Sequence, residues 1–383
     1  MSGVRALRAA CSALVTAMLL SAVASAEAAW RWQLPRGMPA PSVPADNPMS
    51  SRKVELGRRL FYDVRLSVTG AYACASCHQQ ARAFSDGRAR ALGATGELHP
   101  RGAMSLANVA YSLRFGWDDP DTTSLEAQAQ IPMLNTAPIE LGVRGNEARI
   151  LDALRRDRLY ARGFPRAFPD AARGFELAHV RKAIAAFERT LISGGSAYDR
   201  AVYRDERAAL SPAARRGLAL FTSPELACSE CHGGPTLGGA DTAFHNTGLF
   251  NLDGQGAYPP TGQGLFARTR APADMGRFRA PSLRTVALTA PYMHDGSDAT
   301  LPDVLAHYAR GGRNARAADG AEPGARNPHQ SERVRGFPLS PEDEAALLAF
   351  LEALTDEAFV ADPRFSDPFA EAPTGVSSRV DAD

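Results

Sequence analysis

The chain has 383 residues, of which 45% are hydrophobic, enough to build the cores of about two domains. Lysine plus arginine and aspartate plus glutamate number 43 and 42, so the formal net charge is +1. This near balance excludes the strongly basic character that is typical of nucleic-acid-binding proteins.

The first 26 residues have the features of a secretory signal peptide. Arg5 and Arg8 supply the positive start, an apolar run covers residues 13–24, and a small-residue Ala-Ser-Ala sequence ends at Ala26. The apolar run is shorter than the roughly 20 residues that span a bilayer. We therefore expect cleavage near Ala26, export to a bacterial periplasm, and a mature protein without a membrane-spanning segment.

Four of the five cysteines occur in two copies of Cys-x-x-Cys-His, the attachment motif of c-type haem, and the fifth, Cys11, lies in the expected signal peptide. In each copy the thiols would add to the haem vinyl groups and the histidine would ligate the iron. A disulfide would not require the histidine, and a zinc site would bring the two cysteine pairs closer in sequence. We predict two covalently bound haem c groups, attached at Cys74, Cys77 and His78 and at Cys228, Cys231 and His232.

A weak internal repeat accompanies the two motifs. Residues 57–61 (Gly-Arg-Arg-Leu-Phe) precede the first motif, and residues 217–221 (Gly-Leu-Ala-Leu-Phe) precede the second. Each half then closes with apolar residues at helical spacing, over residues 180–191 and 347–354. The second of these helices has a start signal, with Ser340 as N-cap and Pro341 at the first helical position.

This organisation predicts a mostly α fold with long loops. We expect two cytochrome c-like helical domains, each wrapped around one covalent haem. The predicted boundaries are residues 27–200 for the N-terminal domain, residues 201–361 for the C-terminal domain, and residues 362–383 for a flexible tail.

Three further segments occur in a characteristic order. They are residues 116–140, residues 279–284 (Arg-Ala-Pro-Ser-Leu-Arg) and residues 291–296 (Pro-Tyr-Met-His-Asp-Gly). With both haem motifs, they resemble the bacterial di-haem cytochrome c peroxidase family, which includes the methylamine-utilisation enzyme MauG. The resemblance covers nearly the whole mature chain and implies an oxidoreductase that uses hydrogen peroxide.

The resemblance also implies roles for individual residues. His78 matches the proximal ligand of the peroxide-reacting haem, and Glu140 matches the distal carboxylate. Gln128 matches the distal amide, although an interval two residues longer than usual leaves Gln130 as an alternative. Trp117 matches the tryptophan that relays electrons between the haems. A carboxylate beside bound peroxide is chemically apt, because O–O cleavage needs a proton moved from the inner to the outer oxygen.

The second haem distinguishes the subtypes of the family. His232 supplies one ligand, and the other lies on a helix that opens with a capping box at Thr300. Cytochrome c peroxidases have methionine at this position, whereas this chain has Tyr308, as MauG does. A phenolate lowers the reduction potential of the iron and a thioether raises it. Rival ligands are His307, Met275 and Met293.

The chain departs from the peroxidases at two positions. The histidine that closes their resting first haem corresponds to a position near Ala94, and His99 is offset from it. We therefore expect the first haem to be open in the oxidised protein. The asparagine that binds calcium between the domains is replaced by Gly102, which leaves calcium binding as an open question.

Residues 30–35 and 46–50 resemble the methanobactin-associated (MbnH-like) branch of the family. That resemblance implies oxidation of a partner protein's tryptophan, to kynurenine or a related product, by long-range electron transfer. The first alternative is a cytochrome c peroxidase that detoxifies hydrogen peroxide with a small redox-protein donor. The second is a non-enzymatic di-haem electron carrier.

Overall fold

A computed structural model describes residues 30–239, 243–313 and 327–370. The expected signal peptide and the end of the expected tail, residues 371–383, lie outside these ranges. Among the described residues, no helix has both the length and the apolar character needed to cross a membrane.

The described residues are mostly helical, which confirms the predicted fold class at that level. The helices are α1 (Ser51–Tyr62), α2 (Cys74–Cys77), α3 (Leu125–Gln128), α4 (Gln130–Leu134), α5 (Glu147–Arg155), α6 (Arg158–Ala167), α7 (Leu177–Glu188), α8 (Ala197–Tyr203), α9 (Pro212–Phe221), α10 (Cys228–Cys231), α11 (Phe266–Thr269), α12 (Leu301–Ala309), α13 (Pro341–Glu352) and α14 (Glu357–Val360). Two short strands, β1 (Phe244–Asn246) and β2 (Arg277–Arg279), pair antiparallel with His245 opposite Phe278.

The described residues from Gln33 onward form one unit that contains two hydrophobic cores. Helices α1, α6 and α7 build the first core, and helices α9, α12 and α13 build the second. Buried central residues are Leu60, Phe164 and Phe187 in the first core and Phe221, Leu305 and Phe350 in the second.

Both cores are organised around a pair of closely packed helices. A Cβ atom placed on Gly57 of α1 would collide with the carbonyl oxygen of Ala183 on α7. A Cβ atom on Gly217 of α9 would collide in the same way with the carbonyl oxygen of Ala346 on α13. The glycine that opens each copy of the sequence repeat is therefore the residue that lets two helix backbones approach.

The boundary predicted after residue 200 falls inside α8. Tyr198, on this helix, already packs in the second core. The preceding turn is held by Asp356, whose carboxylate accepts hydrogen bonds from Ser193 Oγ (3.0 Å) and from the backbone N–H groups of Gly194 (2.9 Å) and Gly195 (2.8 Å).

The flexible tail predicted from residue 362 does not begin at that residue. Residues Pro363–Phe365 form a 3₁₀ turn, and Phe365 is only 5% exposed because it packs in the first core with Phe359. Tyr62 Oη donates a hydrogen bond of 2.7 Å to the carbonyl oxygen of Phe365. The chain thus returns to the first core after completing the second, and the prediction of a flexible tail was wrong for these residues.

Replacing Gly217 with alanine should destabilise the second core, because the added methyl group forces α9 away from α13. Overpacking of this kind costs about 1–3 kcal/mol. Denaturant unfolding of the holoprotein measures the change. The matched control is Gly163→Ala in α6, where a Cβ meets its nearest neighbour, Leu56 Cδ1, at an ordinary 3.4 Å. That control should be neutral or slightly stabilising, since alanine favours helix over glycine. Equal stability of the Gly217 variant and the wild type would contradict the close-packing interpretation.

Candidate haem cavities and active site

Each Cys-x-x-Cys-His motif lies in the wall of its own cavity. The first cavity contains the motif of α2 and measures about 650 Å³ with its open mouth included. The second contains the motif of α10 and measures about 1480 Å³ on the same basis. Each motif therefore opens onto a space between packed elements of the fold.

The two motif histidines have the same hydrogen-bonding pattern. His78 Nδ1 lies 2.8 Å from the carbonyl oxygen of Phe84, and His232 Nδ1 lies 3.1 Å from that of Pro281. A carbonyl oxygen only accepts hydrogen bonds, so Nδ1 carries the proton in both rings. Nε2 is then the free lone-pair nitrogen, which is how a histidine is oriented to ligate a metal.

The four cysteines are free thiols beside these histidines. Burial raises the pKa of Cys77 to about 12 and that of Cys228 to about 11, so both thiols are neutral. None of these four cysteines forms a disulfide in this structure. In the described ranges, no group of three or more His, Cys, Asp or Glu side chains could hold a metal ion, which leaves the zinc interpretation without ligands. Paired thiols and an oriented imidazole facing an apolar cavity fit a haem group.

The distal amide expected at Gln128 lies in the first cavity, and the alternative Gln130 does not. Arg189 Nη2 contacts both carboxylate oxygens of Glu126, at 2.8 and 2.9 Å, and so holds α3 against α7. Gln130 is exposed, and its Oε1 accepts a hydrogen bond from Arg181 Nη1 on the outer surface.

Glu140 also lines the first cavity. Burial raises the pKa of its carboxyl to about 7, and a hydrogen bond from the Asn135 side chain opposes this rise. A carboxyl group that titrates near neutral pH can both accept and return a proton. The cavity therefore pairs an amide with an acid of suitable proton affinity, at the positions where the resemblance placed them.

Two residues of the first cavity were not predicted from the sequence to line it. His99 lines the cavity, and its Nδ1 accepts a hydrogen bond of 3.0 Å from the backbone N–H of Arg101. Its position in the lining is therefore an argument against the expectation that the first haem is open. Glu188, at the end of α7, is 5% exposed and also lines the cavity. The sequence contained one indication of this position: an acidic residue stands four residues after Ile184, on the apolar face of the helix.

Tyr308 on α12 lines the second cavity together with His232. Burial raises the pKa of the phenol, and the charges of Cys231 and Cys228 raise it further. His307 is not among the lining residues, and its Nε2 donates a hydrogen bond of 2.9 Å to the carbonyl oxygen of Thr247. Met275 lies outside the cavity, whereas Met293 is part of its lining and remains a geometric rival to Tyr308.

Trp117 is half-buried in the wall of the second cavity. Its Nε1 donates a hydrogen bond of 2.9 Å to the carbonyl oxygen of Gly102, and its own carbonyl oxygen accepts one of 2.8 Å from the backbone N–H of Arg279. The carbonyl oxygen of Arg101, beside Gly102, accepts a hydrogen bond from Ala91 in the wall of the first cavity. Trp117 is therefore connected by hydrogen bonds to the segment that leads from one cavity to the other.

Gly102 is the position considered above for calcium. Its carbonyl oxygen already accepts the hydrogen bond from the Trp117 indole.

The chain is similar to several characterised proteins. The sequence profile of the di-haem cytochrome c peroxidase family matches residues 51–207. Methylamine utilization protein MauG of Methylorubrum extorquens is 36% identical over 331 residues, which cover 85% of this chain and 84% of that protein. A cytochrome-c peroxidase of Denitromonas iodatirespirans is 35% identical over 346 residues, which cover 83% of this chain and 85% of that protein.

A solved structure agrees with these matches. A MauG-like protein associated with microbial copper homeostasis superposes with a TM-score of 0.84 and 44% sequence identity, over 89% of this chain and 100% of that one. The chain therefore belongs to the di-haem cytochrome c peroxidase family that includes MauG, and it is a peroxidase-type oxidoreductase with two haem cofactors.

Proposed function

We propose that this protein uses hydrogen peroxide to oxidise a tryptophan of an exported partner protein, to kynurenine or a related product. The observation that carries the proposal is the position of Tyr308, which lines the second cavity with His232 on the helix where cytochrome c peroxidases have methionine. A phenolate ligand suits storage of an oxidising equivalent better than rapid exchange with a cytochrome donor.

The residues of the two motifs would hold the cofactors covalently. The thiols of Cys74 and Cys77, and of Cys228 and Cys231, would form thioethers with the two haem groups. His78 and His232 would ligate iron through Nε2, since Nδ1 of each ring is committed to a backbone carbonyl. When bound, haem supplies an iron that reacts with peroxide and stores oxidising equivalents. Covalent haem attachment and the leader-like start of the chain both support a periplasmic location.

Glu140 and Gln128 would handle the peroxide in the first cavity. The Glu140 carboxylate accepts the proton of the inner peroxide oxygen and returns it to the outer oxygen, so that the outer oxygen leaves as water. Gln128 orients the peroxide, because its amide both donates and accepts hydrogen bonds. Neither residue gains or loses a proton overall.

A partner protein is too large to enter either cavity, so its oxidation requires electrons to travel through the chain. The position of Trp117 supports this route, because the residue connects the wall of the second cavity to the segment that runs toward the first cavity. The 44% identical MauG-like protein associated with copper homeostasis suggests a partner that takes part in copper handling.

The alternative is hydrogen peroxide detoxification with a small redox-protein donor. Met293 in the second cavity and His99 in the first favour it, since they could act as the axial and closing ligands of a peroxidase. The cytochrome-c peroxidase from Denitromonas iodatirespirans shows that relatives of similar identity bear that name.

Co-expression of the holoprotein with an exported protein that is encoded by a neighbouring gene tests the proposal. After addition of peroxide, mass spectrometry of that protein should detect oxygen insertion at a tryptophan. The Trp117→Phe variant should react with peroxide at the wild-type rate but modify the partner at least about tenfold more slowly, because it lacks the indole relay. Rapid steady-state turnover with reduced cytochrome c and no oxygen insertion would favour the detoxifying peroxidase instead.

Replacing Tyr308 with methionine should raise the reduction potential of the second haem, because a neutral thioether replaces an anionic oxygen donor. Spectroelectrochemical titration measures the potential, and a methionine-to-iron charge-transfer band should appear in the variant. The control is Met293→Leu, which should leave the wild-type spectrum unchanged. If wild type already shows that band and Met293→Leu loses it, Met293 is the ligand and Tyr308 is not.

Replacing Glu140 with glutamine should slow the first reaction with peroxide about 10²–10⁴-fold, the usual contribution of a positioned proton carrier. The wild-type rate should rise with pH through about 7, because the carboxylate accepts the proton only when ionised. The variant should lose this rise. Stopped-flow absorbance of the haem bands measures both effects, and an unchanged pH profile in the variant would exclude Glu140 from this role.

A further inference from the structure

Glu188 is a buried acid that the proposed peroxide reaction has not used. It ends α7, is 5% exposed and lines the first cavity. Its Oε2 atom is buried and accepts no hydrogen bond from any described residue. Carboxylates buried to this extent are normally paired with a cation or fully hydrogen-bonded. Glu188 therefore needs an explanation other than a structural ion pair.

The neighbouring cations are committed to other carboxylates. Arg189 binds both oxygens of Glu126, at 2.8 and 2.9 Å. Lys182, on the same helix, lies 3.0 Å from Asp46 at the surface. Glu126 adds a negative charge near Glu188. Burial, reinforced by Glu126 and opposed by Arg189, raises the pKa of Glu188 to about 8. The protonated, uncharged form of the side chain is therefore favoured at neutral pH.

Glu188 lines the same cavity as the residues expected to bind peroxide. The Arg189–Glu126 ion pair joins α3 to α7, and this contact places Gln128 and Glu188 on adjoining elements of the lining. The titratable groups that share the cavity are Tyr72, Cys74, Cys77, His78, Glu97, His99 and Glu140. Of these, Cys74 is close enough to Glu188 for its thiol pKa to be raised by the glutamate charge.

We propose that Glu188 is the proton donor of the first cavity and acts alongside Glu140, an inference that rests on the proposed peroxide-dependent function. Reduction of hydrogen peroxide to two water molecules consumes two electrons and two protons. The O–O bond breaks and two O–H bonds form, and the electrons come from the partner protein. Glu140 only moves a proton that peroxide already carries. The two protons must therefore enter from outside, and Glu188 delivers them one at a time and is reprotonated from solvent.

The protonation of Glu188 can be measured in the resting holoprotein without peroxide. The infrared difference spectrum between wild type and Glu188→Gln should contain the C=O stretch of a protonated carboxylic acid at pH 7, and this band should disappear as the pH rises through about 8. Glu55→Gln, a change at an exposed acid on α1, is the matched control and should give no such band. Absence of the band from the Glu188 difference spectrum at pH 6 would overturn the proposal.

Stopped-flow kinetics test proton delivery itself. Glu188→Gln should leave the first reaction with peroxide unchanged, because that step needs no net proton. It should slow the return to the resting spectrum at least about tenfold. In wild type this return should slow as the pH rises through about 8, and the variant should lose that dependence. Glu188→Asp, which keeps an acid at the position, should restore part of the rate.

The proposal fails if Glu188→Gln returns to the resting spectrum at the wild-type rate with the wild-type pH profile. A wild-type holoprotein whose spectrum does not respond to peroxide would instead overturn the proposed function. The infrared band would still decide whether Glu188 is a protonated acid in that case, so the two failures are distinguishable.

Discussion

The hydrogen bond from Nδ1 of each motif histidine to a backbone carbonyl is the constraint on which both sites depend, because it leaves Nε2 free to ligate iron. The positions of the two carbonyl groups are fixed by packing against other parts of the chain. Phe84 is completely buried between Phe61 and Phe359, so the first core fixes its position. Pro281 belongs to a segment anchored by Arg284, which forms a fully buried ion pair with Asp199. Each motif histidine is therefore oriented by a core that includes chain segments far from its motif.

The two cavities differ in the chemistry of their walls. The first contains Glu140 and Glu188, two carboxyl groups whose pKa values are raised by burial to near or above neutrality. The second contains the aromatic residues Trp117 and Tyr308. Acids of this kind suit movement of protons, and aromatic side chains beside a metal suit movement of electrons. This difference fits the proposed peroxide-dependent oxidation of a distant residue.

The return of the C-terminal segment to the first core connects these parts. Phe359 and Phe365 pack in the core that surrounds the first motif, although they follow the helix that completes the second core. Asp356 ties the start of this segment to the turn before α8 by accepting hydrogen bonds from Ser193, Gly194 and Gly195. The segment from Asp356 to Phe365 therefore connects the two cores by direct contacts.

The sequence by itself determined the features that depend on local chemistry: the two attachment motifs, the glycine-led repeat, and the caps at Thr300 and Ser340, which the structure confirms. Only the tertiary structure distinguished Gln128 from Gln130, placed His99 and Glu188 in the first cavity, and moved Phe365 from a tail into a core. The reason is physical. Caps and motifs act through bonds within a few residues, whereas the surroundings of a side chain are set by segments far away in sequence that pack against it.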